Sequence, residues 1–163
     1  MNDYKIVGDP GPAGGLIFYD KGNNSDGWRY LEAAPAESEY LAEWGADDVD
    51  VSDTLLTIGS GKTNTDLIIT KLNQIGETGK AAQICRNLNI NGFQDWFLPS
   101  KDELYMMYSF LAADALGCFE CDWYASSSQK DNEYFHEFDF GEGEDGYGLK
   151  FGISRFRAVR AFL

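Results

Sequence analysis

The chain has 163 residues, of which 44% are hydrophobic and 15% aromatic, and a formal net charge of -14. That length suits one domain with a sizeable core that needs neither a disulfide framework nor a structural metal, and the apolar content is too high for a disordered acidic chain. The charge disfavours phosphate backbones and anionic membrane surfaces, so nucleic acid is not an expected partner.

In chain order, "MNDYKIVGDPGPAGG" lacks a basic stretch followed by an apolar one, so no export leader is expected there. No apolar run approaches about 18 residues, so no direct membrane insertion is expected. Gly14 and Gly15 introduce a short strand at Leu16–Tyr19. "KGNNSDG" supplies turn residues, and "WRYLEAA" completes an expected hairpin over residues 14–34. Residues 36–60 read as irregular, with Trp44 in an acidic run, "EWGADDVDVSD", of the kind that decorates a solvated loop. The spacing of an EF-hand calcium loop is missing from it.

Three helices are expected next. Thr63 and Asp66 have capping-box spacing ahead of Ile68, Leu72 and Ile75, with Gly76 as the stop. Ala81, Ile84, Cys85 and Leu88 repeat the helical period. Ser100 and Glu103 form a capping box after Pro99, followed by Leu104, Met107, Tyr108 and Leu111.

Beyond Gly117 the period changes to two. In "EYFHEFDF", Tyr134, His136, Phe138 and Phe140 share one face, and Glu133, Phe135, Glu137 and Asp139 the other. "GEGEDGYG" reads as a glycine-punctuated loop or hairpin tip. Leu149, Phe151 and Ile153 resume the alternation, and "RFRAVRAFL" closes the chain as a final strand. Strands, then helices, then strands indicate an α+β class with antiparallel sheets and two to three helices in one domain over residues 1–163.

Cys85 reads as a core residue, while Cys118 and Cys121 form a lone CxxC, either a labile disulfide or two plain thiols. A zinc site would need two further ligands, and His136 is the single histidine. No cofactor or metal is called for.

Several stretches together resemble a known bacterial family, the DUF1566 domains, now named for the C-terminal domain of a Legionella collagen-like adhesin. They are "GPAGGLIFYDKG", "GWRYLEAAP", "IGSGKTNT", "FQDWFLPSKDEL", "WYASSSQ" and "RFRAVRAF", spread from about residue 10 to the C-terminus. The resemblance implies a C-type-lectin-like fold, shared with formylglycine-generating enzymes and with the variable proteins of diversity-generating retroelements. In those variable proteins, the segment between a serine-rich strand and a closing "VRAF" strand carries the mutable ligand-binding residues. Here it is residues 129–154, and the implied ligand is a protein or a carbohydrate. Trp123 precedes Tyr124, the reverse of the usual order, which leaves the register of that strand open.

The candidate binding residues are Asp131, Asn132, Tyr134, His136, Asp139, Tyr147, Leu149 and Phe151, presented on a sheet anchored by Trp123, Phe140, Val159 and Phe162. Which strand face carries the ligand stays open. Adenine-directed mutagenesis of AAC codons yields NNC codons, which cannot encode Glu, Gln, Lys, Met or Trp. Gln129, Lys130, Glu133, Glu137, Glu142, Glu144 and Lys150 are therefore not its products, whereas "GYGL" and "FGIS" are compatible with it. Between Cys118 and Gly148 there are nine carboxylates and one lysine, which disfavours sulfated ligands.

The expected function is non-catalytic recognition. The alternatives are a structural or surface-assembly domain with no dedicated ligand, and an oxidase like the formylglycine-generating enzymes. "GCFECDW" has no neighbouring basic group to lower a thiol pKa, which counts against the oxidase.

Overall fold

A computed structural model describes residues 5–163. Residues 1–4, which open the stretch read for a leader, lie outside the described residues. The elements run β1 (Leu16–Asp20), β2 (Tyr30–Ala33), β3 (Tyr40–Glu43), α1 (Gly61–Gln74), α2 (Ala81–Arg86), α3 (Lys101–Phe110), β4 (Trp123–Gln129), β5 (Tyr134–Asp139), β6 (Glu144–Leu149), β7 (Ile153–Phe156) and β8 (Val159–Phe162). This is the expected α+β architecture of antiparallel-rich sheets and three helices. No helix among the described residues is long and apolar enough to cross a membrane.

The strands form two sheets, a small one ordered β1-β2-β8 and a larger one ordered β3-β7-β4-β5-β6. The first and last strands thus flank β2, both antiparallel to it. One core layer packs α1 and α2 against Trp44, Ala125, Phe135 and Phe156. The other packs α3 and the small sheet against Tyr124, Phe138 and Phe140. The larger sheet is therefore covered on both faces, and this explains why Phe135 and Phe138, of opposite parity in β5, are both buried.

Several of the sequence motifs are buried carboxylates or the backbone that cradles them. Glu32, fully buried in β2, accepts N–H groups from Ala13 at 3.0 Å and Gly15 at 2.9 Å. A Cβ on Gly11 would fall 2.1 Å from the Glu32 carboxyl carbon, and one on Gly15 would fall 1.8 Å from the Ala33 carbonyl oxygen. The "GPAGG" run is a glycine wrap around one buried acid. Arg160 faces Glu32 at 3.3 Å and grips Asp95 of "QDW" through two bonds of 2.8 and 2.9 Å. Glu39 likewise pairs with Arg155 and Arg157 of "RFRA". At α3 the expected capping box is present: Ser100 Oγ accepts from Glu103 N, and Glu103 Oε2 accepts from Ser100 N at 2.7 Å. The same carboxylate accepts from Gly59 N at 2.8 Å, tying "IGSGKTNT" to α3.

Several expectations give way. Helix α1 starts at Gly61, so Thr63 lies inside it, exposed, and is not its cap. The segment 36–60 holds β3, and Trp44 is buried rather than in a solvated loop. Its ring stacks on Phe135 with centroids 5.7 Å apart, and its indole N–H donates to Ser126 O at 2.8 Å. "GEGEDGYG" is mostly strand: only its first residues turn, and β6 begins at Glu144 as the outer strand of the larger sheet. "RFRAVRAFL" is not one strand, because its start belongs to β7 in the larger sheet and its end to β8 in the small one. The open register is resolved by the pairing of Trp123 with Asp139.

Candidate functional site

Because β7 and β6 are separated in the sheet by β4 and β5, the chain leaving β6 at Leu149 must cross over two strands to reach Ile153. Lys150 pins this crossover from below. Its side chain is fully buried, with Nζ donating to Val49 O at 2.7 Å and to Gln129 Oε1 at 2.5 Å, 5.0 Å from the Trp44 ring centroid. Burial pulls its pKa down to about 8. Its backbone N–H donates to Glu133 O and its carbonyl accepts from Gly45 N, both at 3.0 Å.

Between β6, the crossover and the underlying strands lies a groove of about 620 Å³. Its rim carries Leu41 from β3, Tyr147 and Leu149 from β6, and Ile153 from β7, all exposed. Trp123, Glu137 and Arg155 line it as well. Two glycines make room for this lining. A Cβ on Gly146 would sit 2.3 Å from the Trp123 ring, and one on Gly148 would sit 2.4 Å from the Phe135 ring and 2.7 Å from Glu137 Oε2. The alternation "GYG" in β6 is thus a consequence of side chains from β4 and β5 lying across that strand.

The charges in the groove are unequally satisfied. Arg155 is held by Asp122 and Glu39, each at 2.9 Å, and the Arg155 bond holds the Asp122 carboxyl below its usual range. Asp139 Oδ1 accepts from Gly141 N at 2.7 Å and Glu142 N at 3.2 Å, closing the β5–β6 turn. Glu137 has neither kind of support. Among the described residues no hydrogen bond or ion pair engages its carboxyl, and burial, then the charges of Asp122 and Asp139, push its pKa up to about 7.

The structure divides the expected binding residues. Tyr134, His136, Tyr147 and Leu149 gather where β5 meets β6: Tyr134 pairs with Leu149 and His136 with Tyr147. The rings of His136 and Tyr147 meet at 64°, with centroids 5.2 Å apart, and the Lys130 ammonium lies 4.3 Å from the Tyr147 ring and 5.3 Å from that of Tyr134. Burial, then the nearby Lys101 charge, holds the His136 pKa below its usual value. Asp131 is spent on the β4–β5 turn, where its Oδ1 accepts from Glu133 N and Tyr134 N at 2.9 Å. Asn132 is exposed and donates to Asp48 at 3.3 Å, and Phe151 is exposed on the crossover. Of the four expected anchors, Phe140 and Val159 are buried, whereas Trp123 and Phe162 are half-buried.

The groove residues that sequence reasoning did not select, Leu41, Trp123, Glu137, Ile153 and Arg155, come from four strands. The signal that could have exposed them is the pair of glycines two apart in a strand, which implies bulky neighbours on that face. The three serines of β4 are sealed in the interior. Ser126 Oγ donates to His136 O, Ser127 Oγ to Pro99 O and Ser128 Oγ to Leu55 O. Cys118 and Cys121 are exposed and unbridged, and Cys85 is buried. No group of three or more His, Cys, Asp or Glu side chains among the described residues converges to hold a metal ion.

No protein-family model and no curated protein matches the sequence. Among solved structures, the fold is similar to that of a fimbrial protein from Bacteroides ovatus. The TM-score is 0.65 at 11% sequence identity, and the match covers 98% of this chain and 49% of that one. The chain thus spans about half the length of the fimbrial protein it matches, and what the two share is a fold.

Proposed function

We propose that this chain is a recognition domain without catalytic chemistry, binding a protein or carbohydrate through the groove and the adjoining segment 129–154. One observation carries the reading: residues with exposed apolar side chains from three strands, Leu41, Tyr147, Leu149 and Ile153, line a single concavity. Such concave apolar surfaces with a few polar groups are where ligands bind, and exposed apolar side chains gathered in one place mark interaction sites. Against catalysis stand the three buried serine hydroxyls, each donating to a backbone carbonyl in the interior, where no substrate reaches them. Retroelement diversification belongs to the same reading. A reverse-transcriptase gene and a near-copy of the 3' end differing at adenines, in the neighbouring DNA, would support it.

The test is a glycan and protein array probed with the wild-type chain and with a Tyr147→Ala/Ile153→Ser variant. The expected outcome is a ligand that the variant loses while its unfolding free energy stays within about 0.5 kcal/mol, as for other exposed positions. Binding undiminished in the variant would overturn the groove as the site. A second reading, a surface-assembly domain, is favoured by the fimbrial protein of similar fold. An array without ligands, together with concentration-dependent self-association of the wild-type chain, would favour it.

A further inference from the structure

The groove's charge balance narrows the ligand, given that the groove is the binding site. Arg155 already has two carboxylates, Asp122 is committed to Arg155, and Asp139 is committed to turn amides. Glu137 remains, a half-buried carboxyl resting over Gly148 with no partner among the described residues. Trp123 lies beside it: Trp123 pairs with Asp139, two residues along β5 from Glu137, and its ring covers Gly146, two residues along β6 from Gly148. A carboxyl without a counter-charge next to an aromatic ring, under an apolar rim, is a receptor for a cation carried on an apolar stem.

We infer that the groove recognises a lysine or arginine side chain of a partner peptide, with Glu137 as its counter-charge, Trp123 as the flanking ring, and Leu41, Leu149 and Ile153 against the flanking apolar residues. The occupant is chosen by charge complementarity. Among the described residues the one cation lining the groove, Arg155, is neutralised within the chain, and the region from Cys118 to Gly148 adds nine carboxylates against Lys130 alone. An anionic or sulfated ligand would meet repulsion at the same place. Lys130 does not compete, because its ammonium sits against Tyr134 and Tyr147.

The experiment is a titration of the ¹⁵N-labelled chain, followed by amide and indole shifts, with three matched blocked tripeptides at millimolar concentration: Leu-Arg-Leu, Leu-Gln-Leu and Leu-Glu-Leu. Leu-Arg-Leu is expected to shift the Trp123 indole and the amides of Gly146, Gly148 and Leu149, about tenfold more tightly than Leu-Gln-Leu. That ratio is the low end of what a bond to a charged group contributes. Glu137→Gln is expected to abolish the difference while the rest of the spectrum is unchanged. Equal groove binding by all three peptides would overturn the cation while leaving a recognition groove in place. Shifts spread over the acidic surface and indifferent to Glu137→Gln would also overturn it, as would no groove shift with Leu-Arg-Leu. The array above then decides separately whether the groove binds anything.

Discussion

Glu32→Gln isolates the buried acid at the centre of the small sheet. A glutamine whose carbonyl oxygen replaces Glu32 Oε1 keeps the bonds from Ala13 N and Gly15 N. Its amide NH₂ must then face the Arg160 guanidinium and the Ala13 N–H, each 3.3 Å from Oε2. What is lost is a charge-assisted contact, and what is gained is donor against donor. Such a contact contributes about 1.5–3 kcal/mol, and Arg160 keeps its two bonds to Asp95, so about 2 kcal/mol is expected. For a domain of this size that lowers Tm by about 4–8 °C. Urea unfolding followed by tryptophan fluorescence should show a lower midpoint at unchanged slope. Glu32→Ala should cost at least about 4 kcal/mol, because it leaves two buried N–H groups unsatisfied and opens a cavity. A Glu32→Leu/Arg160→Leu double variant should not recover stability, since the main donors to Glu32 are backbone groups that no apolar replacement satisfies. A Glu32→Gln protein within about 0.5 kcal/mol of wild type, or Gln and Ala variants of equal stability, would refute the cradle.

Glu103, fully buried, has its pKa pushed up to about 7 by burial, so the unfolded chain releases this proton near the usual 4.5 and the folded chain later. Over that window the folded state binds the extra proton, and wild-type stability relative to Glu103→Gln should fall as pH rises from about 4.5 to 7. Paired urea titrations at several pH values check the sign. Gly146→Ala places a Cβ 2.3 Å from the Trp123 ring and should destabilise by about 1–3 kcal/mol while shifting tryptophan emission. Unchanged emission and stability would mean the ring does not lie across β6. Thiol titration with an aromatic disulfide reagent should find Cys118 and Cys121 fast and Cys85 only on unfolding, because burial pushes its thiol up to about 12.

What the sequence made legible follows from how local the cause is. The capping box at Ser100 and Glu103, the stop at Gly76 and the hairpin turn are decided within a few residues, and they fold as read. Helix α1 begins earlier than its capping pattern because Gly61 is drawn in by long-range packing: its position is occupied against Glu103 and the Leu98 carbonyl, which leave no room for a Cβ. Trp44 reads as loop because its neighbours are acidic, whereas its burial depends on Phe135 and Ser126, more than eighty residues away. The expected binding residues are divided for the same reason. Tyr134, His136, Tyr147 and Leu149 do come together, since strand register brings them there. The groove itself exists because β6 and β7 are not neighbours in the sheet, and no stretch of sequence shows strand order.

The glycine pair in β6 sets how this surface can vary. Gly146 and Gly148 cannot accept a side chain without displacing Trp123, Phe135 or Glu137, so substitutions that preserve the sheet fall on Asp145, Tyr147 and Leu149. The strand is an alphabet legible only at alternate letters. A mutational library spread evenly over it would place its glycine codons on destabilised chains, whereas one confined to the alternate positions would change the rim and leave the floor as it stands.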